Sequence, residues 1–314
     1  MEYRNLGASG LKVSAVSIGG WITFGGTIAE REARKIVRAA IDAGVNFIDL
    51  ADVYARGEAE SVVGRMLSDY KRSELVISSK LFWPMSDSVN DRGLSRKHVM
   101  ESIEASLKRL GTDYLDLYFC HREDPETPLE ETVRAMDDLV RQGKILYWGT
   151  SVWPAASLEQ AHETAFACNS YAPRVEQPPY NLLERQIEAD VLPAAKRLGM
   201  GVVVWSPLAG GVLTGKYNDG VPKGSRADRT KWLEGKLSEE NLARVRTYCD
   251  LARRLEVEPE QLALAWILRR PEVTSVITGA TRAEHVQLNV RAVEVEIPPD
   301  ALAEIEELFP LAEA

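Results

Sequence analysis

The chain has 314 residues, 45% of them hydrophobic and 27% charged, with a formal net charge of −9. That composition belongs to a folded globular protein, and an acidic balance without a long basic run argues against nucleic acid or an anionic membrane as partner. Three widely spaced cysteines, an N-terminus (MEYRNLGASG) without an apolar core, and no transmembrane-length apolar run point to a cytoplasmic protein without disulfides.

The opening segment, YRNLGASGLKVS, alternates and turns on glycine, which predicts a hairpin. Apolar, β-branched runs then predict eight strands, at 13–19, 45–49, 75–80, 114–120, 145–150, 174–177, 201–206 and 273–278. Amphipathic stretches lie between them. Residues 30–44 end on Gly44 as a C-cap signal, and 95–111 open on Ser95 as N-cap and close at Gly111. Residues 129–144 repeat the pattern, and 184–199 do so with Pro193 expected to kink the helix. The gap before the last strand predicts a loop over 207–236 and helices near 238–255 and 259–269.

Strand ends recur at the length of one βα unit: 31 residues from Asp49 to Lys80, 30 from His121 to Ser151 and 26 from Ser151 to Gln177. The expected class is therefore α/β, a closed (β/α)8 TIM barrel with residues 1–314 as one domain. The N-terminal hairpin would plug its base, and a long loop would follow strand seven. An open doubly wound sheet normally carries G-x-G-x-x-G after an early strand, and IGGWITFGG does not match it.

Parallel barrels do their chemistry at the C-terminal ends of the strands. Asp49, Lys80 and His121 end strands two, three and four, and Tyr54 follows Asp49 by five positions. For Asp49 and Lys80 alone, a structural ion pair is an equally good reading. With Tyr54 and His121 added, the set suits proton donation. A phenol, ordinarily titrating near about 10, would be made more acidic by a neighbouring ammonium. Asp49 would hold Lys80, and His121 would hydrogen-bond a carbonyl oxygen as charge grows on it.

From Gly210, LAGGVLTGKY nearly spells a phosphate-binding G-x-x-x-x-G-K. Tyr217 stands where that motif needs Ser or Thr for magnesium, and NDGVPKGSR after it reads as loop rather than helix. A nucleotide-triphosphate loop is therefore excluded. The segment 206–236 nonetheless holds six Lys or Arg against three acids, a basic bias within an acidic chain. Two other signals carry little. EQAH at 159–162 has metal-ligand spacing but no second half, and Cys120 and His121 alternate on a strand and point apart.

The motifs NFIDLADVYARGEAE, ISSKLFW, LYFCHREDPETPLEET, YWGTSVW, VEQPPYN, VVVWSPLAGGVLTGKY and ITGATRAEH stand in order across the chain. Together they resemble the aldo-keto reductase superfamily. GGWITFGG and WSPLAGG are most similar to the branch of the potassium-channel β-subunits and their bacterial relatives. The resemblance implies a tetrad of Tyr54, Lys80, Asp49 and His121, and NADPH/NADP+ bound across the barrel mouth. It implies Ser151 and Gln177 at the carboxamide, Trp205 stacked on the nicotinamide, and Gly20 and Trp21 near its reactive end. Backbone amides of Ser206, Leu208 and Gly211, in the loop that includes Pro207, would meet the pyrophosphate with Lys216. Arg226, Gly279, Thr281 and Arg282 would suit a 2'-phosphate, with His285 and Asn289 beside them. Ala51, Asp52, Val152, His285 and Leu288 depart from the usual pattern. Trp21, Trp83 and Trp153 are expected to line a pocket for a small carbonyl substrate, and no metal is expected. The implied activity is carbonyl reduction. The rival is a nicotinamide-sensing regulatory subunit, whose channel-associated members tend to carry Asn where this chain has His121. Self-association is left open.

Overall fold

The computed structural model describes residues 1–311. Strands β1 (Tyr3–Asn5) and β2 (Lys12–Ser14) form the N-terminal antiparallel hairpin. The expected first barrel strand divides at Ala15: its start belongs to this hairpin, and the barrel begins with β3 (Val16–Gly19). The barrel continues through β4 (Phe47–Asp49), β5 (Val76–Leu81), β6 (Leu115–Cys120) and β7 (Ile145–Thr150). It ends with β8 (Val175–Glu176), β9 (Gly201–Val204) and β10 (Val273–Thr278). All pair in parallel, and β10 closes on β3 with Val276 opposite Val16.

Around them run α1 (Glu30–Asp42), α2 (Glu58–Leu67), α3 (Arg96–Leu110), α4 (Leu129–Arg141), α5 (Ala155–Ala167) and α6 (Val191–Leu198). After these come α7 (Arg226–Arg229), α8 (Glu239–Arg254), α9 (Pro259–Leu268), α10 (Ala283–Val290) and α11 (Pro299–Leu308). Local chemistry sets many of the ends. Ser95 accepts from the His98 amide at the start of α3, and Gly111 ends it with φ 64°. The expected kink at Pro193 is absent because α6 begins only at Val191, capped by Asp190, so Pro193 lies in the first turn. A first-turn proline loses no intrahelical bond.

Strand periodicity sorts the side chains into two layers. Phe47, Val76, Leu117, Phe119, Val175, Val203 and Ile277 pack inside the barrel with Leu6 and Val13 of the hairpin. Their neighbours Ile48, Ile77, Tyr118, Val202, Val204 and Val276 pack outward against the helices. The hairpin closes the base through Gly7. At φ 54°, a Cβ there would lie 2.4 Å from the Gly199 carbonyl and from the Gly201 amide. The adjacent Ala8 amide donates to the Gly199 oxygen at 2.9 Å.

After β9, residues 205–238 are not a plain loop. They hold a helical turn at Ala209–Thr214, then α7, then another turn at Lys231–Lys236. No helix among the described residues is long and apolar enough to cross a membrane.

Candidate active site

The inward register continues past the packed interior and generates the site. Two positions after Phe47 comes Asp49, after Phe119 comes His121, after Val175 comes Gln177 and after Val203 comes Trp205. All four line one cavity of about 1030 Å³, at the upper end of small-molecule sites. Lys80 lies below it and is fully buried.

The tetrad converges. Lys80 Nζ donates to Asp49 Oδ2 at 2.7 Å, to the Leu50 carbonyl at 2.6 Å and to Tyr54 Oη at 3.3 Å. Asp49 Oδ1 accepts from Ser78 Oγ at 2.7 Å and from Gln177 Nε2 at 2.9 Å. Ser151 Oγ donates to the Gln177 carbonyl at 2.8 Å, which couples the two positions expected at a carboxamide. The Tyr54 and His121 rings stand edge to face with centroids 6.0 Å apart. Burial pushes Lys80 down from the usual amine range, while Asp49 opposes that shift. His121 is held well below the usual imidazole range by burial, then by the Lys80 and Arg122 charges, so its ring is neutral at neutral pH. The Tyr54 phenol moves the opposite way from the sequence expectation. Burial, then the Asp49 carboxylate, hold it well above its usual range, because desolvating a phenolate costs more than the opposing Arg122 charge returns.

Along the rest of the cavity stand Trp21, Ser206, Pro207, Leu208, Gly211, Lys216, Arg226, Gly279, Thr281, Arg282, His285 and Asn289. The segment from Ser206 to Gly211 is coiled tightly, with positive φ at Ser206, Ala209, Gly210 and Gly211. Such runs turn amides toward a common point, where an anion can bind. The amides of Ser206, Leu208 and Gly210 donate to no protein acceptor among the described residues. The Gly211 amide, by contrast, bonds the Leu208 carbonyl at 2.8 Å, so it is not the free donor expected. Gly211 has another use: a Cβ there would lie 2.4 Å from Lys216 Nζ, so only glycine lets that ammonium fold over the loop. Tyr217, which breaks the triphosphate motif, is buried.

Besides Lys80, two expected residues lie off the cavity. Trp153 is 2% exposed and packs in the core between barrel and helices, because Val152 turns at φ 60° and swings the chain away from the mouth. That turn is held by buried Glu176, whose Oε1 accepts from the Val152 and Trp153 amides at 2.6 and 3.3 Å. Gly20 lies behind the wall, its amide on the Asp49 carbonyl at 3.0 Å, where a Cβ would strike Leu50. Arg226 and Arg282, expected to share one phosphate, have separate partners. The Arg226 guanidinium lies 5.3 Å from the Trp21 ring, while Arg282 bonds His285 Nε2 at 3.1 Å.

Sequence reasoning missed Arg122, Trp232 and Glu260, which also line the cavity. Arg122 carries a local signal, since it follows the last inward strand position. Trp232 packs at a tilt against Trp21, ring centroids 4.7 Å apart, and no spacing announces it.

The family model described as "Aldo/keto reductase family" matches residues 15–309. A protein of Arabidopsis thaliana named "Probable voltage-gated potassium channel subunit beta" is 46% identical over 98% of this chain and 97% of its own length. One of the same name from Oryza sativa subsp. japonica is 45% identical over 98% of this chain and 96% of its own length. A similarly named protein of Schizosaccharomyces pombe is 44% identical, covering 98% of this chain and 93% of its own length.

Proposed function

The chain belongs to the aldo/keto reductase family, and on that premise we propose that it reduces aldehydes or ketones to alcohols with NADPH, using Tyr54 as general acid. The observation that carries this reading is the Lys80 ammonium shared between Asp49 and Tyr54 beneath the cavity. Basic side chains on the cavity wall, namely Arg122, Lys216, Lys223, Arg226, Arg229 and Arg282 against the acids Asp49 and Glu260, suit a phosphate-rich cofactor. The free amides after Ser206 and the Lys216 ammonium would hold its pyrophosphate. Arg282, at the N-cap of α10, would take a 2'-phosphate.

A reduced nicotinamide, when bound, supplies the hydride for the carbonyl carbon. Neutral His121 donates a hydrogen bond to the carbonyl oxygen and orients it. Tyr54, kept protonated by burial, gives its proton to that oxygen. The phenolate so formed faces Lys80 Nζ, which stabilises it. Gln177 and Ser151 steady the Asp49 side of the network and offer amide and hydroxyl groups to a carboxamide.

The names of the relatives favour a second reading, in which nicotinamide occupancy is reported to a membrane channel and turnover is incidental. His121 supports chemistry, since it places an imidazole against Tyr54. The deciding experiment titrates the protein with NADPH and NADH by tryptophan fluorescence, then adds 4-nitrobenzaldehyde or methylglyoxal and follows loss of reduced nicotinamide. Tight NADPH binding with turnover is expected. Tight binding without turnover on any carbonyl would transfer the case to the sensor, and no binding would end both readings.

A further inference from the structure

We propose that the cavity selects carbonyl substrates that also carry a carboxylate, which Arg122 binds beside Trp83 while the carbonyl oxygen meets Tyr54 and His121. This rests on the reductase reading above and adds a substrate class to it.

Arg122 lines the cavity next to His121 and is half-buried. Its one side-chain hydrogen bond runs from Nη1 to the His121 carbonyl at 2.5 Å. It has no ion-pair partner among the described residues. Several arginines set into the fold away from the cavity do: Arg72 has Asp116 at 2.7 Å, Arg109 has Glu60 at 2.5 Å and Arg185 has Glu188 at 2.7 Å, while half-buried Arg226 on the cavity wall, like Arg122, has none among the described residues. The carboxylate that Arg122 feels is Glu176. Its oxygens are already taken by Thr150 Oγ1 and by the Val152 and Trp153 amides. A guanidinium presents five donors in a planar fork, and withdrawing that charge from water without a partner is costly. Arg122 therefore stands with most of its donors unspent, at the end of the cavity where substrate must lie. The planar fork matches a carboxylate in bidentate fashion.

The neighbouring surfaces define the rest of the ligand. The Trp83 ring lies 5.7 Å from the Arg122 guanidinium carbon and edge-on to His121 at 6.2 Å. It offers a flat apolar wall between the anion subsite and the reacting carbonyl. The favoured compounds are flat or short-chain oxo-acids. Their C=O becomes CH–OH, the carbon taking its hydrogen and two electrons from reduced nicotinamide and the oxygen taking the Tyr54 proton.

The competing role for Arg122 is to act through Tyr54, whose acidity its charge increases. The test separates the two with a pair of nearly isosteric aldehydes, 4-carboxybenzaldehyde and neutral 4-nitrobenzaldehyde, together with their 3-substituted isomers. The nitro group activates its aldehyde toward hydride more than the carboxylate does, so the kcat/KM ratio of carboxy to nitro compound is compared between wild type and variant. The ratio is expected to fall about tenfold in Arg122→Met, as loss of a charge-assisted pair provides, and Arg122→Lys should restore part of it. A wild-type ratio no higher than that of Arg122→Met overturns the proposal. So does a ratio that Arg122→Met leaves unchanged while both rates fall and the pH profile shifts, which is the signature of action through Tyr54. Calorimetric binding of the alcohols 4-(hydroxymethyl)benzoate and 4-nitrobenzyl alcohol decides the same question without turnover. If neither aldehyde is reduced, the reductase reading fails, and the affinity ratio of the two alcohols still supports or overturns the anion subsite.

Discussion

Tyr54 and Asp52 are two residues apart and both are pushed upward by burial, with different consequences. For Tyr54 the shift would keep the proposed acid protonated. Tyr54→Phe keeps the ring but removes the proton, so kcat should fall by about 10²–10⁴-fold while the NADPH dissociation constant is unchanged. Equal turnover in that variant would remove Tyr54 from the chemistry. Because the protonated form acts and its pKa lies above the usual phenol value, wild-type kcat should stay level across neutral pH and fall only as pH rises through that shifted pKa. Asp52 is fully buried. Its pKa is raised to about 7 by burial and then by Glu60, against hydrogen bonds from Ser102 and the Val53 amide. The sign follows from linkage: the folded state keeps a proton that the unfolded state has already lost. Stability therefore declines as pH rises from the ordinary carboxylate range to about 7, then levels. In Asp52→Asn the decline between pH 5 and 7 should be shallower by up to about 1.4 kcal/mol per pH unit, read from urea midpoints. An identical slope would show that Asp52 does not titrate there.

At the scale of elements, the hairpin and the segment after β9 occupy opposite ends of the barrel. The hairpin contributes Leu6 and Val13 to the interior layer, so its docking is part of the core rather than decoration. Gly7→Ala would push a methyl into the Gly199 and Gly201 backbone, which cannot yield as a side chain tip would. A loss of more than about 2 kcal/mol is expected in urea denaturation, with unaltered NADPH affinity in the fraction that remains folded. A neutral outcome would mean that the hairpin is not seated on the barrel. The segment after β9 was legible as loop with basic character. Its internal turns were not, since Ala209–Thr214 is held by hydrogen bonds such as Leu213 to Leu208 that carry no hydrophobic period.

Over the whole molecule, a chain of net charge −9 nonetheless lines one cavity with six Lys or Arg against two carboxylates. That segregation bears on cofactor choice. Arg282→Ala should weaken NADPH by about tenfold or more, as loss of a charged hydrogen bond does, and leave NADH nearly unchanged, both read by fluorescence titration. Matching losses would place Arg282 elsewhere than at the 2'-phosphate. The same distribution would let an acidic protein accept the proposed negatively charged cofactor: the local field at the cavity, not the net charge, would meet the ligand.

Sequence alone determined the eight-fold βα alternation, the hairpin and the strand-end set of Asp49, Lys80 and His121 with Tyr54 close behind. Those features follow from local periodicity and from the rule that parallel barrels expose chemistry at one rim. Tertiary structure decided what depends on distant neighbours. Trp153 entered the core because the Glu176 carboxylate, a strand away, captured the Val152 turn. Pro193 proved harmless because Asp190 started α6 later than the apolar pattern suggested. The direction of the Tyr54 shift came from desolvation, a property of the packed cavity. That Arg122 has no ion-pair partner among the described residues is of the same kind, since only the folded chain shows which carboxylates come near it.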